Sequence, residues 1–456
     1  MIEHSLSSRP SGERGIGRRR FLARAAVAAA APWFVPAAAL GRGRRAAAGE
    51  RITVGVIGTG VRGGDALNKL LPLGDAQVVA ICDVRTPRRQ SALERTARFY
   101  ADERSRNTDR GCAGYNDFRE LLARDDVDAL LLMSPDHWHG VMATRAAQAG
   151  MDMYCEKPVT RTIAEGLAVR DAVRRYGLVF QTGTQQRSDA KFRHACELAR
   201  NGYLGKVHTI EVGVPGGQAY EVAPPVPVPE GFDYDMWTGP APLIPFDERR
   251  CEWLAMYMIS HYCAGFICNW GVHHLDVAQW GCPEVTAEPF EIDGHGVFPE
   301  GGMTDTCIAW QTEFRYASGL RMHFSNTGNP HPQGCRFLGD EGWVHVNRSG
   351  IWAEPASLLR LPMKPGDVRL HASPSVADGR DPYVGHTADF LRCVRTRRDP
   401  VSNIDDGFLA STLGNVAEIM VRLGRKLKWD WAASRFEDDA DANHMLSRPM
   451  RSPWTI

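Results

Sequence analysis

The first half of the chain alternates short apolar runs with segments of helical periodicity. An apolar run at 52–57 precedes a glycine-rich turn, after which Ala66, Leu67 and Leu70 recur at helical spacing. A second apolar run, "AQVVAICDV", ends at Asp83. Further strands are predicted at 129–133, 152–155 and 178–182, separated by helices at 118–123, 141–149 and 163–176. This alternation predicts an α/β fold with a parallel, doubly wound sheet.

The pattern changes after Thr209 to longer segments in which apolar and polar residues alternate. Two of them, with turns at 317–319 and 339–342, predict hairpins of an antiparallel sheet. Helical periodicity returns around Phe390, Leu391 and Val394, and again from Asp406 to Leu423. The Pro-rich stretch at 224–245 is interpreted as an extended surface loop, with a dimer arm as the alternative.

A GxGxxG turn joins the first predicted strand to the first predicted helix. Gly58 permits the tight turn, Gly60 lets the backbone approach a pyrophosphate, and Gly63 lets the helix pack on the strand. Asp83 can accept hydrogen bonds from ribose hydroxyls and would repel a 2′-phosphate, whereas Arg85 could hold one. The turn therefore predicts a dinucleotide site that favours NAD and leaves NADP open. The predicted contacts are Gly58, Gly60, Val61, Arg62, Gly63 and Asp83.

Three polar segments begin where predicted strands end, namely 134–139 ("SPDHWH"), 156–158 ("EKP") and 183–187 ("GTQQR"). Ligands of open α/β sheets bind beyond the carboxyl ends of the strands, so these segments are expected to line the same crevice. His137 and His139 have two interpretations, pocket lining or pairing with backbone carbonyls. Further cofactor contacts are predicted at Ser134, Pro135, His139, Glu156, Lys157 and Gln185.

The glycine-rich turn, the "SPDHWH" segment and "EKPVT" at the start of a helix together resemble the Gfo/Idh/MocA family of oxidoreductases. The resemblance spans residues 50–430. It implies a Rossmann domain over 49–185, followed over 186–456 by an α+β domain with an open, mostly antiparallel sheet. It also implies sugar or polyol substrates, Lys157 between nicotinamide and substrate, Ser134 and Pro135 against the cofactor, and an unusual peptide geometry at Pro158.

Oxidation of a secondary alcohol needs a hydride acceptor, a base for the hydroxyl proton and a cation for the developing alkoxide. Lys157 suits the cation or a proton relay. His273 and Asn269 share one face of a predicted helix, and the family commonly has Asp where this chain has Asn269. An amide orients an imidazole but holds its positive charge less well than a carboxylate does. The predicted catalytic residues are Lys157, His273 and Asn269, with Asp276 as a further support for His273.

A metal site is the alternative interpretation of the same region, because its residue types suit zinc. The spacing matches no established motif, and single cysteines are usually packing groups. No metal site is therefore predicted. The eleven cysteines include no CxxC pair, so no disulfide framework is indicated, and at least one thiol is free or pairs between chains. The residues weighed as ligands are Cys263, Cys268, His273, His274 and Asp276.

Composition excludes several classes of protein. The chain has 456 residues, 43% of them hydrophobic, which is enough for two cores. Lys plus Arg and Asp plus Glu both total 54, so no net charge attracts nucleic acid.

The segment 18–22, "RRRFL", precedes an Ala-rich apolar run and resembles a twin-arginine signal. Residues 1–48 are thus predicted to be a signal peptide and linker, and the mature protein is expected in the periplasm.

An exported enzyme finds no free nicotinamide pool, so the signal predicts a cofactor that folds in with the protein and is recycled on it. Three functions follow: an oxidoreductase with two half-reactions, an NAD-dependent glycosidase that oxidises and re-reduces one hydroxyl, or a non-catalytic sugar-binding protein. The expected partners are a sugar, polyol or glycoside, the twin-arginine export machinery and further copies of the chain. An exposed antiparallel sheet face predicts that self-association.

Overall fold

The structure is a computed structural model that describes residues 50–101, 111–326, 331–374 and 381–456. The predicted signal segment lies outside the described residues. The described helices are α1 (Val61–Leu70), α2 (Thr86–Phe99), α3 (Phe118–Leu122), α4 (Asp136–Gln148), α5 (Ile163–Arg175), α6 (Ala190–Arg200), α7 (Tyr234–Thr238), α8 (Gly265–Asn269), α9 (Gly271–Gly281), α10 (Glu284–Ala287), α11 (Pro382–Thr396), α12 (Ile404–Leu423) and α13 (Ala440–His444).

The N-terminal sheet is parallel and has the order β3-β2-β1-β4-β5-β6. Because β1 lies between β2 and β4, the strand order reverses at β1, and a crevice opens beyond the carboxyl ends of these strands. Every residue of β1 is buried, which fits a strand covered by helices on both faces. The strands are β1 (Ile52–Ile57), β2 (Ala76–Cys82), β3 (Ala113–Tyr115), β4 (Ala129–Leu132), β5 (Asp152–Cys155) and β6 (Phe180–Thr182).

The C-terminal sheet has the order β13-β12-β11-β7-β10-β9-β8-β14-β15 among the described strands. Its pairs are antiparallel except for the parallel pair of β7 and β10. Phe314, Phe324 and Phe337 point from it into the larger hydrophobic core. The strands are β7 (Val207–Val214), β8 (Phe290–Val297), β9 (Ala309–Tyr316), β10 (Arg321–Asn326), β11 (Gly334–Gly339), β12 (Gly342–Val346), β13 (Ile351–Glu354), β14 (Leu427–Asp430) and β15 (Arg435–Phe436).

Helix ends follow local capping chemistry. Asn403 precedes α12, and its side chain accepts hydrogen bonds from the amides of Asp405 and Asp406, while the Asp406 carboxylate accepts one from the amide of Asn403. This capping box satisfies amides that have no partner within the helix. Gly424 ends α12 in the left-handed region at φ 63°. The 20 residues of α12 thereby have fixed ends, and the helix packs against both α9 and the C-terminal sheet.

Elements late in the chain return to the N-terminal domain. Phe390 and Leu391 of α11 are buried in the core beneath β1 and β2. Phe232 and Trp237 belong to an aromatic cluster formed by the segment 215–264, which we call the excursion. The excursion contains the Pro-rich stretch, so that stretch is in part a packed wall rather than a free surface loop.

The predicted fold class is confirmed, with a parallel sheet followed by a mostly antiparallel one. The predicted helix at 141–149 begins earlier, at Asp136, because Pro135 presets the backbone for a helix start. Both predicted hairpins form, as β9 with β10 and β11 with β12. Within the described ranges no helix combines the length and apolar character needed to cross a membrane.

Candidate active site

The glycine-rich turn between β1 and α1 is built for close backbone approach. Gly58 has φ +87°, which L-residues rarely adopt. A Cβ on Gly63 would lie 2.0 Å from the carbonyl oxygen of Gly58, so only glycine fits there. Gly60 faces the cleft beyond the turn, as do Val61 and Arg62 at the start of α1. The N-terminus of α1 therefore lies open to the cleft, where it can receive a phosphate.

Asp83 links the turn to the end of β2. Its Oδ2 accepts hydrogen bonds from the amide of Thr59 at 2.7 Å and from the Thr59 hydroxyl at 2.8 Å. Its Oδ1 accepts one from the amide of Arg85 at 2.8 Å. The carboxylate thus holds β1, β2 and the turn in register while it lines the cleft where an adenosine ribose would bind.

The excursion forms the opposite wall of this end of the cleft. Trp237, Cys251 and Trp253 all line it. The guanidinium carbon of Arg85 lies 3.9 Å from the ring centroid of Phe232, and the two residues form an isolated bridge. The cleft has about 1450 Å³ of empty volume with the solvent at its mouth included. Its lining runs from the glycine-rich turn to His273, Arg348 and Tyr383.

Glu156 fixes the floor at the other end of the cleft. Its Oε1 accepts from Nε of Arg62 at 2.7 Å, and Arg62 also lies 3.9 Å over the ring of Tyr383. Burial raises the pKa of Glu156, but the charges of Arg62 and Lys157 outweigh burial and hold it below its usual value. A Cβ on Gly183 would lie 2.9 Å from the Glu156 carboxyl, so a side chain at this position after β6 would displace that carboxyl.

Lys157 follows Glu156 and turns its ammonium toward α8. Its Nζ donates to Oδ1 of Asn269 at 2.9 Å and to the backbone oxygen of Asn269 at 3.2 Å. Nδ2 of Asn269 donates in turn to Oδ2 of Asp136 at 3.2 Å. Burial lowers the pKa of Lys157, although the carboxylates of Glu156 and Asp136 oppose that effect. The Lys157–Pro158 peptide bond is cis.

His273 lies in α9 beside Trp270 and is buried, with its edge on the cleft. Burial lowers its pKa well below the usual value, and the charges of Arg348 and Lys157 lower it further. The imidazole is therefore neutral at pH 7 and able to accept a proton. Arg348 stacks on Trp270, with its guanidinium carbon 4.8 Å from the ring centroid.

Ser134, Pro135 and His139 lie together at the end of β4 and line the cleft. The Ser134 hydroxyl is buried without a hydrogen-bond partner among the described residues. Both His139 ring nitrogens face carbonyl oxygens, Nδ1 that of Pro158 at 2.7 Å and Nε2 that of Ser134 at 2.9 Å. Burial lowers the pKa of His139, but Cys155, the charge of Asp136 and the Pro158 carbonyl reverse that and raise it to about 10. His139 thus connects the segments that follow β4 and β5 through hydrogen bonds, and its role is structural rather than proton transfer.

Three sequence-based predictions need correction. Gln185 does not line the cleft, because its amide turns back to Gly183 and supports Tyr383 and Arg348 from behind, with its oxygen 2.7 Å from the Tyr383 hydroxyl. Asp276 does not support His273, since it forms a buried ion pair with Arg187 at 2.7 Å. Asn269 orients Lys157 and not His273, because α8 ends at Asn269 and turns its side chain toward β5. Of the two interpretations of His137, the structure favours pairing with a backbone carbonyl, because its Nε2 lies 3.1 Å from the Trp237 oxygen.

The residues weighed as zinc ligands do not converge. Cys263 donates to Asp136, Cys268 faces the backbone of Ser411, and Asp276 is bound to Arg187. Among the described residues no group of three or more possible ligands lies close enough to hold a metal ion.

Several site residues escaped the sequence-based prediction. Asp136 lies in the segment 134–139 ("SPDHWH"), but no motif marks it as a site residue. Tyr257, Arg348 and Tyr383 reach the cleft from the excursion, from the turn after β12 and from α11. These are distant in sequence, and only the fold brings them to one place.

The residues present fit a dinucleotide. The turn allows the close approach that a pyrophosphate needs, and Asp83 lies where the ribose would bind. The buried hydroxyl of Ser134 has no partner among the described residues, and a ligand can supply one. Gly58, Gly60, Val61, Arg62, Gly63 and Asp83 would hold the adenosine and phosphates, with Ser134, Pro135, Glu156 and Lys157 toward the nicotinamide.

Comparison with known proteins agrees with this site. Residues 52–184 match the model of the oxidoreductase family with an NAD-binding Rossmann fold, and residues 216–353 and 372–456 match the C-terminal alpha/beta domain of the same family. The chain belongs to the Gfo/Idh/MocA family of NAD-dependent oxidoreductases, whose relatives act on the CH–OH group of sugars and polyols.

Individual relatives are distant. The chain is 23% identical to the myo-inositol 2-dehydrogenase of Thermotoga maritima over 82% of this chain and 98% of that one. It is 28% identical to the uncharacterized oxidoreductase YrbE of Bacillus subtilis, but over 36% of this chain and 44% of that one. The solved aldose-aldose oxidoreductase of Caulobacter crescentus has the same fold, with a TM-score of 0.59 and 18% identity over 83% of this chain and 99% of that one.

Proposed function

We propose that this protein is an exported oxidoreductase that acts on a hydroxyl of a sugar or polyol and keeps its NAD bound between turnovers. The observation that carries the proposal is the position of the Lys157 ammonium. It follows the carboxyl end of β5 and lines the cleft together with the dinucleotide turn and His273. The full-length similarity to a myo-inositol 2-dehydrogenase supports a polyhydroxylated substrate.

The chain's own residues divide the work on the substrate. An ammonium has three N–H donors, and two of those on Lys157 are taken by Asn269, which leaves one for the reacting oxygen. That bond favours negative charge developing on the oxygen. Neutral His273 can accept the hydroxyl proton. Bound NAD supplies the hydride acceptor.

Cofactor retention is supported by the wall at the adenosine end of the cleft. The excursion covers that end with Trp237, Cys251 and Trp253, and its cluster is anchored by Phe232 under Arg85. A dinucleotide bound here would contact these side chains, which favours its retention. The "RRRFL" segment supports export of the folded protein with the cofactor inside, and the periplasm is the proposed location.

The proposal is tested by turnover without added nucleotide. Purified protein is incubated with a polyol or aldose donor and a second aldose as acceptor, and the products are identified by mass spectrometry. We expect one oxidised and one reduced product in equal amounts. Release of an aglycone from an aryl glycoside, with no change in oxidation state, would instead establish the NAD-dependent glycosidase. Absence of both reactions in protein that contains NAD would overturn the catalytic proposal.

A further inference from the structure

Asp136 is a buried carboxylate at the first position of α4, only 4% exposed. Its hydrogen-bond donors are neutral. Sγ of Cys263 donates to Oδ2 at 2.9 Å, and Nδ2 of Asn269 donates to the same oxygen at 3.2 Å. Burial of a carboxylate is costly unless a charge or several donors compensate it, so its surroundings call for a functional reason.

The Asn269 amide bridges this carboxylate and the Lys157 ammonium. Its oxygen faces Nζ of Lys157 at 2.9 Å, and its nitrogen faces Asp136. An ammonium only donates and an ionised carboxylate only accepts, so one orientation of the amide satisfies both neighbours. The carboxylate therefore fixes which end of Asn269 meets Lys157.

We propose that Asp136 is a positioning residue for the reaction, holding the Asn269 oxygen on Lys157 and supplying part of the negative charge that favours the ammonium in the cleft. The inference rests on the proposed function, because it concerns the same site. It explains how the site works with a neutral residue at position 269. The Asn269 amide separates the Asp136 carboxylate from the Lys157 ammonium, whereas a carboxylate at position 269 would meet the ammonium directly.

Glu156 shares the electrostatic part of this role, because its charge also raises the pKa of Lys157, whereas the charge of Arg62 lowers it. Glu156 is paired with Arg62, and the carboxylate that meets the Asn269 amide is Asp136. Cys263 faces Asp136, and His273 is neutral. Loss of the Asp136 charge therefore lowers the pKa of Lys157 further, in the same direction as burial.

The test moves the carboxylate along the bridge. Asp136→Asn keeps the shape and removes the charge, and we expect kcat to fall about tenfold to a hundredfold with KM and bound nucleotide unchanged. The pH-rate limb set by Lys157 moves to lower pH. The double variant Asp136→Asn with Asn269→Asp returns the charge to the bridge, and we expect it to recover most of kcat and the original limb.

A matched control separates positioning from helix stability. Asp439→Asn removes a carboxylate that caps α13 through the amide of Ala442 at 2.9 Å, outside the cleft. It lowers stability without moving the pH profile. If Asp136→Asn behaves like this control, or if the double variant is no better than the single one, Asp136 has only a structural role and the inference fails.

A second readout does not depend on turnover. The chain has seven lysines, so side-chain NMR of lysine-labelled protein can assign Lys157 by comparison with Lys157→Met. We expect the titration midpoint of Lys157 to fall in Asp136→Asn and to return in the double variant. A midpoint that does not move overturns the inference even if no substrate is found. If the wild type shows no turnover but the Lys157 midpoint does shift in Asp136→Asn, the proposed reaction fails and the inference about Asp136 stands.

Discussion

The ammonium of Lys157 lies 2.9 Å from the amide oxygen of Asn269, across the boundary between the two domains. One group belongs to the end of β5 in the Rossmann domain, and the other ends α8 beside the C-terminal sheet. The active site is therefore completed only when the domains are packed together. A substitution at Lys157 should therefore lower the rate of the reaction while leaving NAD binding unchanged.

Lys157→Met removes the ammonium while keeping much of the side-chain volume. We expect kcat to fall about 10²-fold to 10⁴-fold, since a positioned proton-transfer group contributes that much. The content of bound NAD should stay unchanged, because the phosphate turn and Asp83 are not touched. Single-turnover kinetics together with nucleotide extraction measure both quantities. Full activity in this variant would contradict the role given to Lys157.

The pH dependence of the reaction should respond to Arg348. Its charge adds to burial in lowering the pKa of His273, so Arg348→Gln raises that pKa. A base works in its deprotonated form, and activity is lost as the pH falls through its pKa. The acid limb of the kcat/KM profile should therefore move to higher pH in this variant. A limb that stays in place or moves to lower pH would show that His273 is not the base.

Gly63→Ala should abolish nucleotide binding. The added Cβ would lie 2.0 Å from the carbonyl oxygen of Gly58 and would force the turn apart. Gly64→Ala is the matched control, because its Cβ would have no neighbour closer than 3.7 Å. We expect the first variant to purify without NAD and the second to keep it. Equal NAD content in both would contradict the assignment of the turn.

The buried pair of Arg187 and Asp276 should act on stability alone. Asp276→Asn removes the bidentate partner of an almost fully buried guanidinium but leaves it the Asp406 carboxylate at 3.1 Å, so we expect a loss of about 3 kcal/mol in the free energy of unfolding, at the low end for a broken buried pair. Arg174→Ala breaks the ion pair with Asp399; because the Arg174 side chain is 42% exposed, the free energy of unfolding should fall by less than about 1 kcal/mol. Chemical denaturation measures both. An Asp276→Asn protein of normal stability but altered pH profile would restore the role once predicted for Asp276.

The sequence predicts the fold well where local patterns decide it. The buried strands, the glycine turn and the helix starts depend on neighbouring residues, and the predicted strand at 152–155 matches β5. The site is predicted less completely. Helical spacing relates Asn269 to His273, but it cannot show that Asn269 meets Lys157, a residue 112 positions earlier. Arg348 and Tyr383 carry no local signal, because their role arises from long-range packing.

The most direct test of the central claim is to purify the full-length protein without added nucleotide, denature it and identify what is released by mass spectrometry. The account predicts one equivalent of NAD per chain, retained through purification behind the wall of the excursion. Protein that releases no dinucleotide, and that binds no added NAD, would contradict the account.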